Sequence, residues 1–109
     1  MNGITTHVLD TSRGQPAGGV GVRLERLEGN AWREIAAAHT DADGRARDLA
    51  AEARPGRYRL SFAVRDYFAR TGATSFYHEV VVDFEIARAE HHHVPLLVSP
   101  WGYTTYRGS

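Results

Sequence analysis

The chain carries six histidines, and three of them stand together at His91, His92 and His93. Imidazole is the side chain that exchanges protons near neutral pH, so this cluster is where chemistry is sought first. His91 and His93 are two apart, and a strand presents both on one face while turning His92 to the other. Such a pair is the beginning of a metal site. A zinc ion takes three or four ligands, which His7, His39, Asp10 or Glu90 would have to complete. The same pair also reads as a metal-free polar site, or as a wet strand edge with no function. His7 lies between Thr6 and Val8, on the same strand face as Thr5 and Leu9. There it is either a structural hydrogen-bond donor or a general base. Arg45 follows Asp43 and Gly44 at the end of a polar turn. Its planar fork of donors suits a substrate oxygen, but an arginine there also reads as simply solvated.

Several chemistries are excluded. The sequence has no cysteine, which removes disulfides, thiolate metal sites and a cysteine nucleophile. It has no Gly-x-Ser-x-Gly elbow, no Gly-x-Gly-x-x-Gly and no phosphate loop. The Asp41-Ala-Asp-Gly-Arg45 turn lacks the 12-residue ligand spacing and closing glutamate of a calcium loop. Thirteen basic residues, all arginine, offset thirteen acidic ones. A net charge of zero gives no general attraction for nucleic acid or an anionic membrane, so neither is expected as a partner. The opening residues lack a basic stretch followed by an apolar run, and no segment approaches the roughly 20 apolar residues that span a bilayer, which sets a cytoplasmic expectation.

The elements that must position these residues are mostly strands. Residues 4–9 form a short half-apolar strand, followed by a turn at Gly14, Gln15 and Pro16. Val20, Val22 and Leu24 alternate with polar or small residues, and 32–38 is a weaker strand. After Pro55 and Gly56, the residues Tyr58, Leu60, Phe62 and Val64 share one parity. Residues 66–72 predict one or two helical turns, capped by Asp66 and stopped by Gly72. Val80, Val82, Phe84 and Ile86 alternate again, 94–98 is apolar, a turn spans 99–102, and 103–107 makes a last strand. A strand pattern running that late favours a tail docked in a sheet or interface over a frayed one. The sum is an all-β chain forming a single domain over 1–109. It predicts a two-sheet antiparallel sandwich of seven or eight short strands with one short helix.

Four motifs, in order, carry a resemblance: His7-Val-Leu-Asp10 with Gly14-Gln-Pro-Ala17, Thr40-Asp-Ala-Asp-Gly-Arg45, His91-His-His-Val-Pro-Leu-Leu-Val-Ser-Pro100, and Tyr106-Arg-Gly-Ser109. Over nearly its whole length the chain resembles the transthyretin-like family, in its hydroxyisourate hydrolase branch. The terminal tetrapeptide is the most specific piece, since it separates that branch from the hormone-carrying transthyretins. The resemblance implies an eight-stranded two-sheet sandwich with a short helix, assembled as a homotetramer, a dimer of dimers with active sites in a central channel. It implies hydrolysis of 5-hydroxyisourate to 2-oxo-4-hydroxy-4-carboxy-5-ureidoimidazoline in urate degradation, with no metal and no cofactor. His7, Arg45 and His93 match the family's catalytic positions. Tyr106, Arg107, Gly108 and Ser109 join them in binding substrate, and His91 becomes a neighbouring polar residue. Two departures stand out: His92 occupies a position where tyrosine is common, and so does Trp101. The rival readings are a noncatalytic transthyretin-type carrier, an adhesion-type sandwich and a zinc-dependent enzyme. The first would lack the histidines and the terminal tetrapeptide, and the second would need no histidine pair facing a cavity.

Overall fold

The computed structural model describes residues 3–109; Met1 and Asn2 lie outside the described residues. In chain order the elements are β1 (Ile4–Asp10), β2 (Gln15–Pro16), β3 (Gly21–Glu28), β4 (Ala31–His39), β5 (Arg45–Ala50), β6 (Gly56–Phe62), α1 (Val64–Thr71), β7 (Val80–Ile86), β8 (His92–Ser99) and β9 (Gly102–Thr105). One sheet runs β2-β1-β8-β9 with β5 also pairing β1, and the other runs β4-β3-β6-β7. Their inner faces bury Ile4, Val8, Leu24, Leu60, Phe62, Ile86 and Leu96 completely. These are the residues that the alternating pattern turns inward. Tyr58 and Phe84, opposite each other across β6 and β7, stack at 5.9 Å.

The pairing is antiparallel except at one place. β1 and β8 run parallel, with Ile4 opposite His92 and Asp10 opposite Val98. The two-sheet sandwich is thus antiparallel in the main, as expected, and this parallel pair is a feature the sequence pattern does not disclose. A parallel pair needs a long crossover, and the whole second sheet and the helix supply it. The sequence pattern predicts no strand where β5 forms. Its inward residues, Ala46 and Leu49, are three apart instead of two, because the ladder slips between Ile4 (opposite Ala50) and Thr6 (opposite Ala46). That bulge erases the period-2 signal.

The helix begins at Val64, two residues before its expected cap. Val64, Tyr67 and Phe68 form its buried stripe, so packing sets its start. Asp66 sits inside the first turn, where it complements the helix dipole. Gly72 ends the helix in the left-handed conformation, φ 82°, with its N–H on the Ala69 carbonyl. The Tyr67 hydroxyl donates to Asp10 Oδ2 at 2.7 Å. The other oxygen of Asp10 accepts from the Ser12 hydroxyl and from the Ser12 and Arg13 amides, so this buried carboxylate is fully partnered. It ties the end of β1 to the helix. Burial, together with this bond, raises the Tyr67 pKa above its ordinary value.

Candidate active site

The parallel register sets the site. Thr5 lies opposite His93 and His7 opposite Pro95, on the half-buried face of β1 that Ile4, Thr6 and Val8 do not occupy. Thr5 Oγ1 is 2.8 Å from His93 Nδ1 and 3.0 Å from His91 Nε2. The two imidazoles lie nearly parallel, 20° between planes and 6.4 Å between centroids. His92 turns the other way; it is buried, and its Nδ1–H donates to the Glu90 carbonyl. Trp101 is exposed and stacks on Phe76.

Arg45 is delivered by a tight turn. Asp41 Oδ1 accepts from the amides of Asp43 and Arg45, and Asp41 Oδ2 accepts from Arg47 Nη1 at 2.7 Å. The Arg45 amide foremost holds the Asp41 carboxyl below the usual carboxylate range, with the Asp43 amide and Arg47 adding to it. So the two aspartates and glycine that resemble a calcium loop form a capped turn instead. Gly44 takes a left-handed φ of 77°, and a Cβ there would run into the Val8 carbonyl oxygen, so the turn can lie flat on β1. The Val8 amide donates to the Gly44 carbonyl, and His7 pairs with Arg45 in the ladder. His7 Nε2 is 2.8 Å from the Asp43 carbonyl oxygen. A carbonyl only accepts, so neutral His7 carries its proton on Nε2 and keeps Nδ1 bare. The Arg45 guanidinium makes no hydrogen bond or ion pair among the described residues, which leaves its fork of donors for a ligand.

The last residues close one side. The Gly108 amide donates to the His93 carbonyl at 2.8 Å, an antiparallel bridge beyond β9. Ser109 then joins Thr5, Thr6, Arg45, Arg47, His91 and His93 around a cleft of about 330 Å³. Burial first, then the charge of Arg45 and the neighbouring His7 and His91, pushes His93 below the ordinary imidazole pKa. Burial thus favours the neutral imidazole at His93, the form that is competent as a base.

The structure thus brings together His93, Arg45, His91 and Ser109, with His7 beside the cleft through its ladder partner Arg45. Tyr106 and Arg107 border a second, more apolar cleft of about 220 Å³, with His92, Val82, Phe84 and Val94. Arg107 reaches Glu90 at 3.0 Å, and Tyr106 is 57% exposed. Asp10, a candidate to complete a metal site, is instead held by Tyr67, and His39 lies on the other sheet, opposite Gly21. Among the described residues no group of three or more histidine and acidic side chains is arranged to hold a metal. Thr5 and Arg47 line the cleft and were not singled out from the sequence. The signal for Thr5 was its parity with His7.

Residues 4–108 match the profile of the HIUase/Transthyretin family. The chain belongs to that family. It is 50% identical to the 5-hydroxyisourate hydrolase of Caulobacter vibrioides over the full length of both chains. The structure of the Klebsiella pneumoniae 5-hydroxyisourate hydrolase superposes with a TM-score of 0.87 at 41% identity, covering 98% of this chain and 93% of that one. The transthyretin of Sparus aurata superposes with a TM-score of 0.93 at 30% identity, covering 99% and 97%. Both branches of the family therefore share this sandwich, and the fold does not separate hydrolase from carrier. What separates them are side chains, and this family member carries the histidines, the arginine and the terminal Tyr-Arg-Gly-Ser on which the hydrolase resemblance rests.

Proposed function

We propose that this protein hydrolyses 5-hydroxyisourate to 2-oxo-4-hydroxy-4-carboxy-5-ureidoimidazoline, a step of urate degradation, without a metal. One observation carries the reading: half-buried His93 shares a cleft with the Arg45 guanidinium, which has no partner among the described residues. The cleft's volume suits a small heterocycle. Ring opening adds water to an amide-like carbonyl. As the water oxygen bonds to that carbon, an imidazole of the His7/His93 pair takes the water's proton. Arg45 donates to the carbonyl oxygen as it becomes an oxyanion. Collapse of the adduct breaks the carbon–nitrogen bond, and the proton passes from the pair to the departing nitrogen. The water is thus divided between the new carboxyl group and the ring nitrogen, and the pair ends as it began. Ser109, with Gly108 behind it, walls the cleft.

Tyr106 and Arg107 enter this reading through assembly. We take the functional unit to be a homotetramer, a dimer of dimers. The supporting observations are the exposed aromatic side chains of Phe76, Trp101, Tyr103 and Tyr106, and the position of β9 at the edge of its sheet. A native mass near four chains is expected. Among the described residues no helix is long and apolar enough to cross a membrane, and a cytoplasmic location belongs to the same proposal.

The test follows the ultraviolet absorbance of freshly generated 5-hydroxyisourate with and without protein, against its spontaneous decay. Faster decay that survives exhaustive chelation is expected. Replacing His7, Arg45 or His93 by alanine lowers turnover by about 10²-fold or more. Decay at the spontaneous rate overturns the proposal, and loss of activity in proportion to bound zinc restores the metal reading of His91 and His93.

A further inference from the structure

We propose that Thr5 is a positioning residue that sets which ring nitrogen of His93 holds the proton, and that His91, Thr5 and His93 form a proton relay between solvent and the cleft. The inference rests on the hydrolase reading above and adds a path by which one half-buried imidazole serves as base and then as acid.

The argument starts from hydrogen-bond counting. Thr5 Oγ1 meets two imidazole nitrogens, His93 Nδ1 at 2.8 Å and His91 Nε2 at 3.0 Å, and has no third partner among the described residues. A hydroxyl owns one proton and two lone pairs. It cannot donate to both rings, and accepting from both would leave its own proton without a partner, so the two neutral histidines take opposite roles. In one arrangement Thr5 donates to His91 Nε2 and accepts from His93 Nδ1–H. Nε2 of His93 is then bare and able to take a proton. In the other arrangement His91 Nε2–H donates to Thr5, Thr5 donates to His93 Nδ1, and Nε2 of His93 carries a proton to give.

Movement between these arrangements closes a cycle. When His93 Nε2 takes the proton of the attacking water, its Nδ1 proton passes to Thr5 and the Thr5 proton passes to His91 Nε2. The positive charge then rests on His91 instead of His93. In the acid step each proton moves back one place: His91 to Thr5, Thr5 to His93 Nδ1, and His93 Nε2 to the departing nitrogen. No proton is created or lost, and the relay returns to its first arrangement.

Burial gives the relay its direction. His91 is exposed, whereas His93 is half-buried beside the Arg45 guanidinium. Water solvates an imidazolium at His91, while at His93 the charge would be partly desolvated and repelled by Arg45. The strand register holds the bridge in place, since Thr5 is the direct ladder partner of His93. Its β-branched side chain also has few rotamers to lose.

The test uses Thr5→Val, which keeps the shape and removes the hydroxyl, Thr5→Ser, which restores it, and His91→Ala. ¹⁵N NMR of the His93 ring in the substrate-free protein reads the tautomer directly. Wild type and Thr5→Ser are expected to favour the Nδ1-protonated form, and Thr5→Val to lose that preference. In the decay assay Thr5→Val is expected to lower kcat by about 30-fold with KM little changed, short of the roughly 10²-fold lower bound for losing an acid–base group outright. Thr5→Ser is expected to recover most of that loss. The kcat of wild type in mixed light and heavy water should curve as several protons move together, and that of Thr5→Val should be linear. An unchanged His93 tautomer in Thr5→Val, or full kcat in both Thr5→Val and His91→Ala, overturns the relay. If Thr5→Val fails to fold, His91→Ala decides through the same readouts, because that side chain is exposed. If wild type does not accelerate the decay, the hydrolase reading fails by itself, and the substrate-free tautomer still decides on Thr5.

Discussion

Gly108→Ala separates the geometry of the site from the stability of the fold. A Cβ at position 108 would lie 2.8 Å from His93 Cδ2, 3.3 Å from Pro95 Cγ and 3.4 Å from His93 Cγ. Ordinary contact begins near 3.4 Å, so the imidazole or the tail must give way by about 0.6 Å. Pro95 is buried behind the contact, which leaves rotation of His93 or withdrawal of the tail as the ways out. A displacement approaching 1 Å at a reacting group costs up to about 10²-fold, so turnover is expected to fall about 10- to 100-fold. Stability is expected to change far less. Withdrawal of the tail gives up one amide–carbonyl bond, worth about 1 kcal/mol. That is a shift of about 4–8 °C in the thermal midpoint of a chain this size. The assay pairs 5-hydroxyisourate decay with thermal unfolding, and Gly102→Ala serves as the control. Gly102 has negative φ, and nothing lies closer to its added Cβ than Ser99 Oγ at 3.9 Å. Full turnover in folded Gly108→Ala would refute the idea that the tail sets the His93 ring.

Three further outcomes follow from the same structure. His93 has a folded pKa below its unfolded value, so as pH falls through the ordinary imidazole range the unfolded chain takes up the extra proton first. Stability is therefore greatest above that range, declines on acidification and levels off below the folded pKa. Denaturant midpoints between pH 5 and 8 should show a slope that His93→Gln reduces, and an equal slope in both proteins would remove His93 as the cause. Tyr67→Phe strips Asp10 Oδ2 of its hydroxyl partner in the core, at a cost of about 1–3 kcal/mol read from urea unfolding. Removing residues 106–109 should abolish most activity while changing the unfolding midpoint little, since the tail's bonds are the Gly108–His93 bridge and the exposed contacts of Arg107 with Glu90 and the His91 carbonyl.

Strands β3, β6 and β7 were legible because each turns one parity of residues into the core. Val22 and Leu24, Leu60 and Phe62, and Val80 and Ile86 all obey it. β5 was not legible, because its bulge spaces Ala46 and Leu49 by three. Parity also says nothing of direction, so residues 4–9 and 94–98 read as strands while their parallel pairing did not. The site inherits both limits. Sequence reasoning proposed His7, Arg45 and His93 individually, and resemblance joined them. Thr5 reads as an ordinary strand threonine until the parallel register puts it against His93. The tail was expected to dock, and Gly108 docks where only an absent Cβ allows; the sequence alone held no measure of that clearance.

The parallel pairing of β1 with β8 also has a consequence in time. Thr5 and His93 are 88 positions apart in the chain. At a synthesis rate of roughly 5–20 residues per second, the N-terminal half of the site exists for about 4 to 18 s before its partner is made. β5 arrives sooner and covers one edge of β1, but the other edge presents open amides and carbonyls until β8 emerges. Two neighbouring nascent chains could pair there with each other. The slot that β8 fills to complete the active site is thus also the most exposed template for mispairing during birth, and a chaperone that guards this protein would be expected to act in that interval.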